Sequence, residues 1–133
     1  MPIVRVALDV PLPTLFDYMV AEGVAVAAGQ RVIVPFGRRQ MAGVVMECVA
    51  ESEMPPERIK PVTQVLHDSA PLSAGLLDLL RFCSDYYRYP IGPAVLSALP
   101  TRLRSDKHIL GKPALSYRLT ESGTALDLEN FPK

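Results

Sequence analysis

Tryptophan is absent from this 133-residue sequence, cysteine and histidine occur twice each, and eight glycines are outnumbered by thirteen prolines. Each scarcity excludes something. Cys48 and Cys83 lie far apart in apolar segments, and His67 and His108 are the only other soft ligands, so neither a disulfide framework nor a zinc site is predicted. Both cysteines read as small core residues in a reducing compartment. An excess of either charge is also missing. Fourteen Lys and Arg face fourteen Asp and Glu, which leaves no whole-chain field to draw in nucleic acid or an anionic membrane. Any such binding must be local. No apolar run approaches the roughly 18 residues needed to cross a bilayer, and Met1-Pro2-Ile3-Val4-Arg5 enters alternating sequence without a leader. A soluble, cytoplasmic domain with no membrane partner is expected. Chemistry of its own is equally thin. Gly111-Lys112-Pro113 lacks the upstream glycine and following hydroxyl of a phosphate loop, no Gly-x-Ser-x-Gly elbow occurs, and His67 beside Asp68 reads as a turn. No catalytic residue, metal or cofactor is predicted for this chain.

What is present is 49% hydrophobic, enough for one modest core, and the prolines cut it into short alternating runs. Val4, Val6, Leu8 and Val10 share one parity; Phe16, Tyr18 and Val20 share another; Arg31 to Phe36 and Met41 to Val49 supply strands three and four. Strand four should put Val44, Met46 and Cys48 on one face, with Gly43 at a bulge or close backbone approach. A fifth strand falls in Ile59 to Leu66, where Pro61 demands an edge position or a start after it. From Leu72 to Tyr89 the period changes, and Leu76, Leu79, Leu80, Cys83 and Tyr87 mark an amphipathic helix with Ser73 as N-cap and Pro90 as stop. A second short turn is possible across Pro93 to Leu99. Five strands and one helix fit a mainly β fold, a small, partly open OB-like barrel over residues 1–100. Residues 101–114, with Arg102, Arg104, Lys107 and Lys112, read as a basic linker, and Arg102 and Arg104 as candidate phosphate contacts. Residues 115–133 read as a strand and a helix start that stop before a second core forms, as in a piece of something longer.

Four segments look unlike scaffold. Leu15-Phe16-Asp17-Tyr18 sets an acid between two aromatics, where a carboxylate can accept a bond from a bound hydroxyl or amino group. Pro35-Phe36-Gly37-Arg38-Arg39 joins a glycine that permits close approach to two guanidinium groups able to grip phosphates. Ile59-Lys60 offers a lone cation before a strand. Asp85-Tyr86-Tyr87-Arg88-Tyr89-Pro90 mixes aromatics with a cation; such residues can stack and pin bases, but the favoured reading is a helix end packing its rings on the barrel. The bland alternative for the whole chain is a barrel used only as a protein-interaction or spacer domain.

The order of these pieces carries a resemblance. Val6-Ala7-Leu8-x-Val10-Pro11-Leu12-Pro13, Phe16-Asp17-Tyr18, Ala28-Gly29-x-Arg31-Val32-x-Val34-Pro35-Phe36-Gly37, Gly43-Val44-Val45, Asp85-Tyr86-Tyr87 and Pro90-Ile91-Gly92 together resemble the N-terminal domain of the PriA replication restart helicases, across residues 1 to about 100. The resemblance implies a DNA-binding module that captures the 3′ end of the nascent leading strand at stalled forks and D-loops. By it, Phe16, Asp17 and Tyr18, Gly37 and Lys60 form the pocket, Asp17 reads the terminal nucleotide, Lys60 contacts phosphate, and Arg38 and Arg39 touch the backbone. It further implies DNA with a 3′-hydroxyl end and forked DNA as partners. Primosome proteins and single-stranded DNA-binding protein would be reached through the full-length helicase, an ATP-dependent 3′-5′ enzyme whose ATP, Mg and zinc sites lie outside this chain. A nucleoid-associated place in the cytoplasm and a truncated winged-helix domain at 115–133 follow from the same resemblance.

Overall fold

The computed structural model describes residues 2–105 and 115–126. Residues with β-branched side chains dominate β1 (Ile3–Leu8) and β3 (Arg31–Phe36), as pleated, half-buried backbone favours. With β2 (Phe16–Met19), β4 (Arg39–Val49), β5 (Lys60–Pro61) and β6 (Gln64–Leu66) they form one sheet in the order β5-β2-β1-β4-β3-β6. All pairings are antiparallel except β2 with β5.

The expected fifth strand is split in two, and the split closes the sheet. Pro61 ends β5 against β2, the Val62 amide donates to the Met19 carbonyl (2.8 Å), and the next amide, Thr63, donates to Ile33 on β3 (2.9 Å) before β6 begins. One short segment thus bonds to both edges of the curled sheet, which gives six strands where five were expected and leaves the OB-like, mainly β architecture intact. Val4, Val6, Leu8, Tyr18, Val20, Val32, Val34 and Val45 fill the inside. The outer face presents Ala7, Val44 and Met46 to α1 (Ala74–Tyr87) and α2 (Ile91–Ser97), which bury Leu77, Leu80, Val95 and Leu96 there. Ser73 caps α1 as predicted, accepting from the Leu76 amide. A Cβ at Gly92 would lie 1.7 Å from the Leu8 carbonyl oxygen, so α2 begins directly against β1, where only glycine fits.

Three expectations need correction. The register shifts between Arg5 and Val6, where Arg5 faces Glu47 and Val6 faces Val45, so Met46 is an extra residue on β4. This bulge turns Met46 and Glu47 toward the helix side together and flips the parity beyond them. Cys48 therefore pairs with Val4 instead of continuing the Val44 and Met46 face, and it is exposed, not a core residue. Gly43 provides the close approach, its missing Cβ leaving room for Val6 and Leu8. The helix stripe is rotated as well. Leu77 and Leu80 are buried, whereas Leu79 and Tyr87 are 54% and 72% exposed, because Arg81, one turn beyond Leu77, is drawn to β4. Finally, α2 is a regular second helix and not just a turn.

Of the basic stretch, Thr101–Arg104 forms a 3-10 turn against the barrel, and Arg104 donates to the Leu99 and Ser97 carbonyls. Lys107 and Lys112 lie outside the described residues. In the tail, residues 115–120 form no regular element, and one helical turn, α3 (Glu121–Thr124), is capped by the Thr120 hydroxyl.

Candidate functional site

Alternation along β2 divides the predicted site. Phe16 and Tyr18 face the barrel interior. The Tyr18 hydroxyl donates to the Pro35 carbonyl (2.8 Å), and burial pushes its phenol up to about 12. Phe16 meets Phe36 edge to face with ring centroids 5.1 Å apart, which sets it beside the β3–β4 hairpin. Gly37 is the first residue of that two-residue loop and has φ +61°, while Arg38 has no positive φ; this is the pattern of a type II′ turn, in which glycine takes the first position. Arg38 and Arg39 stand exposed at its tip. Lys60 pairs with Tyr18 across β5 and is also exposed. Phe16, Tyr18, Gly37 and Lys60 are thus gathered around one part of the barrel.

Asp17 points the other way. It lies opposite Arg5 on β1, whose Nε is 3.6 Å from its carboxylate, and it accepts a hydrogen bond from the Ser52 hydroxyl. Its side chain is 13% exposed. Arg5 continues to Glu47 (3.2 Å), and Glu47 continues to Arg81 on α1 (2.9 Å), so a chain of alternating charges runs from β2 across the sheet to the helix. The bulge at Met46 is what turns Glu47 toward it. A hydrogen bond from Arg81 holds the Glu47 carboxyl below the ordinary glutamate range, the charges of Arg81 and Arg5 assist, and partial burial opposes them. A cleft of about 1250 Å³ opens over this chain between β2 and the end of α1. Phe16 and Asp17 of β2, Arg5 of β1, Arg81 of α1, and Arg88 and Tyr89 at the end of that helix are among the residues that line it.

Phe16 and Asp17 therefore share the cleft, whereas Tyr18, Gly37 and Lys60 do not line it and connect to it through Phe16. Arg5, Ser52 and Glu47 were missed in the sequence. Arg5 was findable: it is the polar residue of the first strand and Asp17 that of the second, and consecutive antiparallel strands set them opposite each other. Ser52 offered no signal, since a serine 35 positions away in an acidic loop carries no periodicity. The helix end also departs from its favoured reading. Tyr86, Tyr87 and Tyr89 are 67%, 72% and 54% exposed, so these rings do not pack on the barrel. His67 and Asp68 serve the scaffold, one against Gln30 and the other in an ion pair with the buried Arg31 (2.9 Å). Among the described residues no three His, Cys, Asp or Glu side chains converge as a metal site, and no helix is long and apolar enough to cross a membrane.

Comparison with known proteins places the chain in a family. The family described as "3′DNA-binding domain (3′BD)" of PriA matches residues 5–100. "Replication restart protein PriA" of Haemophilus influenzae is 38% identical over 124 residues, covering 92% of this chain and 17% of that protein. The protein of the same name in Buchnera aphidicola subsp. Acyrthosiphon pisum is 27% identical over 133 residues, covering all of this chain and 18% of its own length. That of Synechocystis sp. is 32% identical over 113 residues, covering 81% and 14%. The chain thus spans less than a quarter of the length of these curated relatives. Matched over most of its length, with the barrel and its outer cleft inside the matched region, the chain belongs to the 3′DNA-binding domain family of PriA replication restart proteins.

Proposed function

We propose that this DNA-binding domain holds the 3′ end of a DNA strand in the cleft beside β2. The observation that carries the reading is the placement of Asp17: its carboxylate lines the cleft while Ser52 and Arg5 fix its direction. A carboxylate accepts hydrogen bonds and repels phosphate, so it suits a terminal 3′-hydroxyl or a base amino group and disfavours strand interior, where the 3′ oxygen carries a phosphodiester. Backbone groups around Phe16 would hold the nucleotide in the cleft, and Tyr18, Gly37, Lys60, Arg38 and Arg39, which do not line it, would contact the strand where it leaves the cleft, Lys60 and the two arginines through phosphates. Arg102 is exposed and remains a candidate for general contacts, while Arg104 is bonded to carbonyls and less free to serve.

In a full-length replication restart helicase this module would engage the nascent leading strand at forks and D-loops. ATP, Mg and zinc, primosome proteins and single-stranded DNA-binding protein would be handled by parts outside this chain, and residues 115–133 would open a winged-helix domain. Competition between a linear oligonucleotide and the same sequence closed into a circle tests the end-reading proposal. The linear strand should displace a labelled probe at much lower concentration; equal competition by the circle contradicts the proposal.

A further inference from the structure

The cleft is also lined by residues at the end of α1 that the end-reading proposal does not use. Arg88 caps helix α1 just after Tyr87, and its φ of 54° and ψ of 40° make it the one non-glycine residue with positive φ among the described residues. Glycine or asparagine ordinarily occupies this left-handed position after a helix, because a Cβ is strained there. The strain is held in place by Ser84. Its carbonyl accepts from both the Arg88 and Tyr89 amides, and its hydroxyl donates to the Tyr89 carbonyl at 2.6 Å. With this costly cap in place, Arg88 and Tyr89 line the same cleft as Asp17.

The cations of the cleft are not equivalent. Arg5 is committed to Asp17 and Glu47, and Arg81 to Glu47 and the Met46 carbonyl. Arg88 makes no side-chain hydrogen bond or ion pair with the described residues, and Tyr89 beside it is half exposed, lining this cleft and a smaller one of about 380 Å³ behind it. Asp85 lines the same cleft and offsets part of the Arg88 charge, so this part of it suits a single phosphate and not a run of them. A free guanidinium next to an exposed ring is a fitting pair for one phosphate and one base of a single strand. Backbone strain kept at such a spot is a recurrent mark of a binding site.

We infer that Arg88 and Tyr89 form a second subsite, which takes the phosphate and base of the nucleotide preceding the one at Asp17. This inference rests on the end-reading proposal and extends it from one nucleotide to two. The subsite adds affinity without choosing between ends, since an internal phosphate and base are the same whatever the 3′ terminus carries.

The test uses the whole chain with 5′-labelled hexanucleotides ending in a 3′-hydroxyl or a 3′-phosphate, read by fluorescence anisotropy over a salt series. Arg88→Gln should weaken binding of both strands about tenfold. It should make the slope of log affinity against log salt shallower by about 0.7, the value of one single-strand phosphate, and leave the ratio between the two ends unchanged. Tyr89→Leu should weaken both strands while keeping the salt slope. Arg88→Gly, which the left-handed backbone accepts readily, guards against misfolding: it should melt no lower than the wild type and still lose the tenfold. Variants that bind with wild-type affinity and slope, while the wild type still prefers the hydroxyl end, overturn the subsite alone. A wild type with no end preference overturns the end-reading proposal, and this extension with it.

Discussion

Around Arg31 the barrel closes on a cation that is 4% exposed, paired with Asp68 and bonded from Nε and a terminal nitrogen to the carbonyls of Leu103 and Ser105. Around Arg88 the same kind of side chain stands in the open, on a strained backbone, with no partner among the described residues. Both regions combine arginine, carboxylate and carbonyl groups. In the first the donors are matched to acceptors of the protein itself, tying β3 to the loop after β6 and to the turn that follows α2. In the second the donor is left for something else. The contrast suggests a rule for reading arginines in this fold: committed guanidinium groups hold the scaffold, and an uncommitted one held in place at a cost to the backbone marks a ligand.

Substitutions break this contrast at different strengths. Arg31→Ala should be the most damaging, with a loss of about 3–5 kcal/mol in chemical denaturation, because it removes a buried guanidinium that ties Asp68 and two carbonyls together. A loss below about 1 kcal/mol would place Arg31 with the surface cations. Next comes Leu80→Ala, with roughly 2–5 kcal/mol from lost transfer energy and the cavity left between α1 and the sheet. Leu79→Ala, on the exposed side, should fall within about 0.5 kcal/mol of wild type. Thermal melts of the pair decide which face of α1 meets the barrel.

Glu47 lies between the two regimes. Its carboxyl is held below the ordinary range in the folded chain, so its stabilisation is complete above the unfolded value near 4.3 and is lost as pH falls through the lowered folded value. About a third of the side chain is exposed, which limits the contribution to about 1 kcal/mol or less. Between about pH 5 and pH 3 the wild type should therefore lose more stability than Glu47→Gln, and parallel curves would count against the charge chain. The smallest shift belongs to Arg88→Gly. Relief of left-handed strain, offset by the greater freedom of glycine in the unfolded chain, should raise stability by about 0.5 kcal/mol while DNA binding falls.

Much of the scaffold was legible because a half-buried strand writes its pattern locally. Val4, Val6 and Leu8 alternate as the core requires, and Ser73 and Pro90 bracket α1. What stayed hidden depends on partners distant in sequence. The bulge at Met46 exists only relative to β1, so nothing within β4 warned that Cys48 would leave the Val44 face. The helix face was ambiguous because Leu76, Leu77, Leu79 and Leu80 admit two stripes, and Arg81 reaching Glu47 selects one. Asp17 was recognised by its aromatic neighbours and by resemblance. That its side chain points away from those of Phe16 and Tyr18 follows from strand alternation alone and was available from the start. Its fixation by Ser52 was not. Arg88 illustrates the reverse case: the sequence held the residue in view, but only the backbone conformation distinguishes it from an ordinary helix end.

The central claim is that the Asp17 carboxylate reads a terminal hydroxyl, and one measurement tests it most directly. Fluorescence anisotropy at a single salt concentration would compare strands ending in a 3′-hydroxyl and a 3′-phosphate, on the wild-type chain and on Asp17→Asn. The hydroxyl strand should bind the wild type more tightly by about 1–3 kcal/mol, the value of a charge-assisted hydrogen bond lost to a bulky anion. Asp17→Asn, which keeps the shape and removes the charge, should fold normally and lose most of that difference. Equal affinity of the wild type for the two ends, or discrimination that survives Asp17→Asn undiminished, would contradict the account.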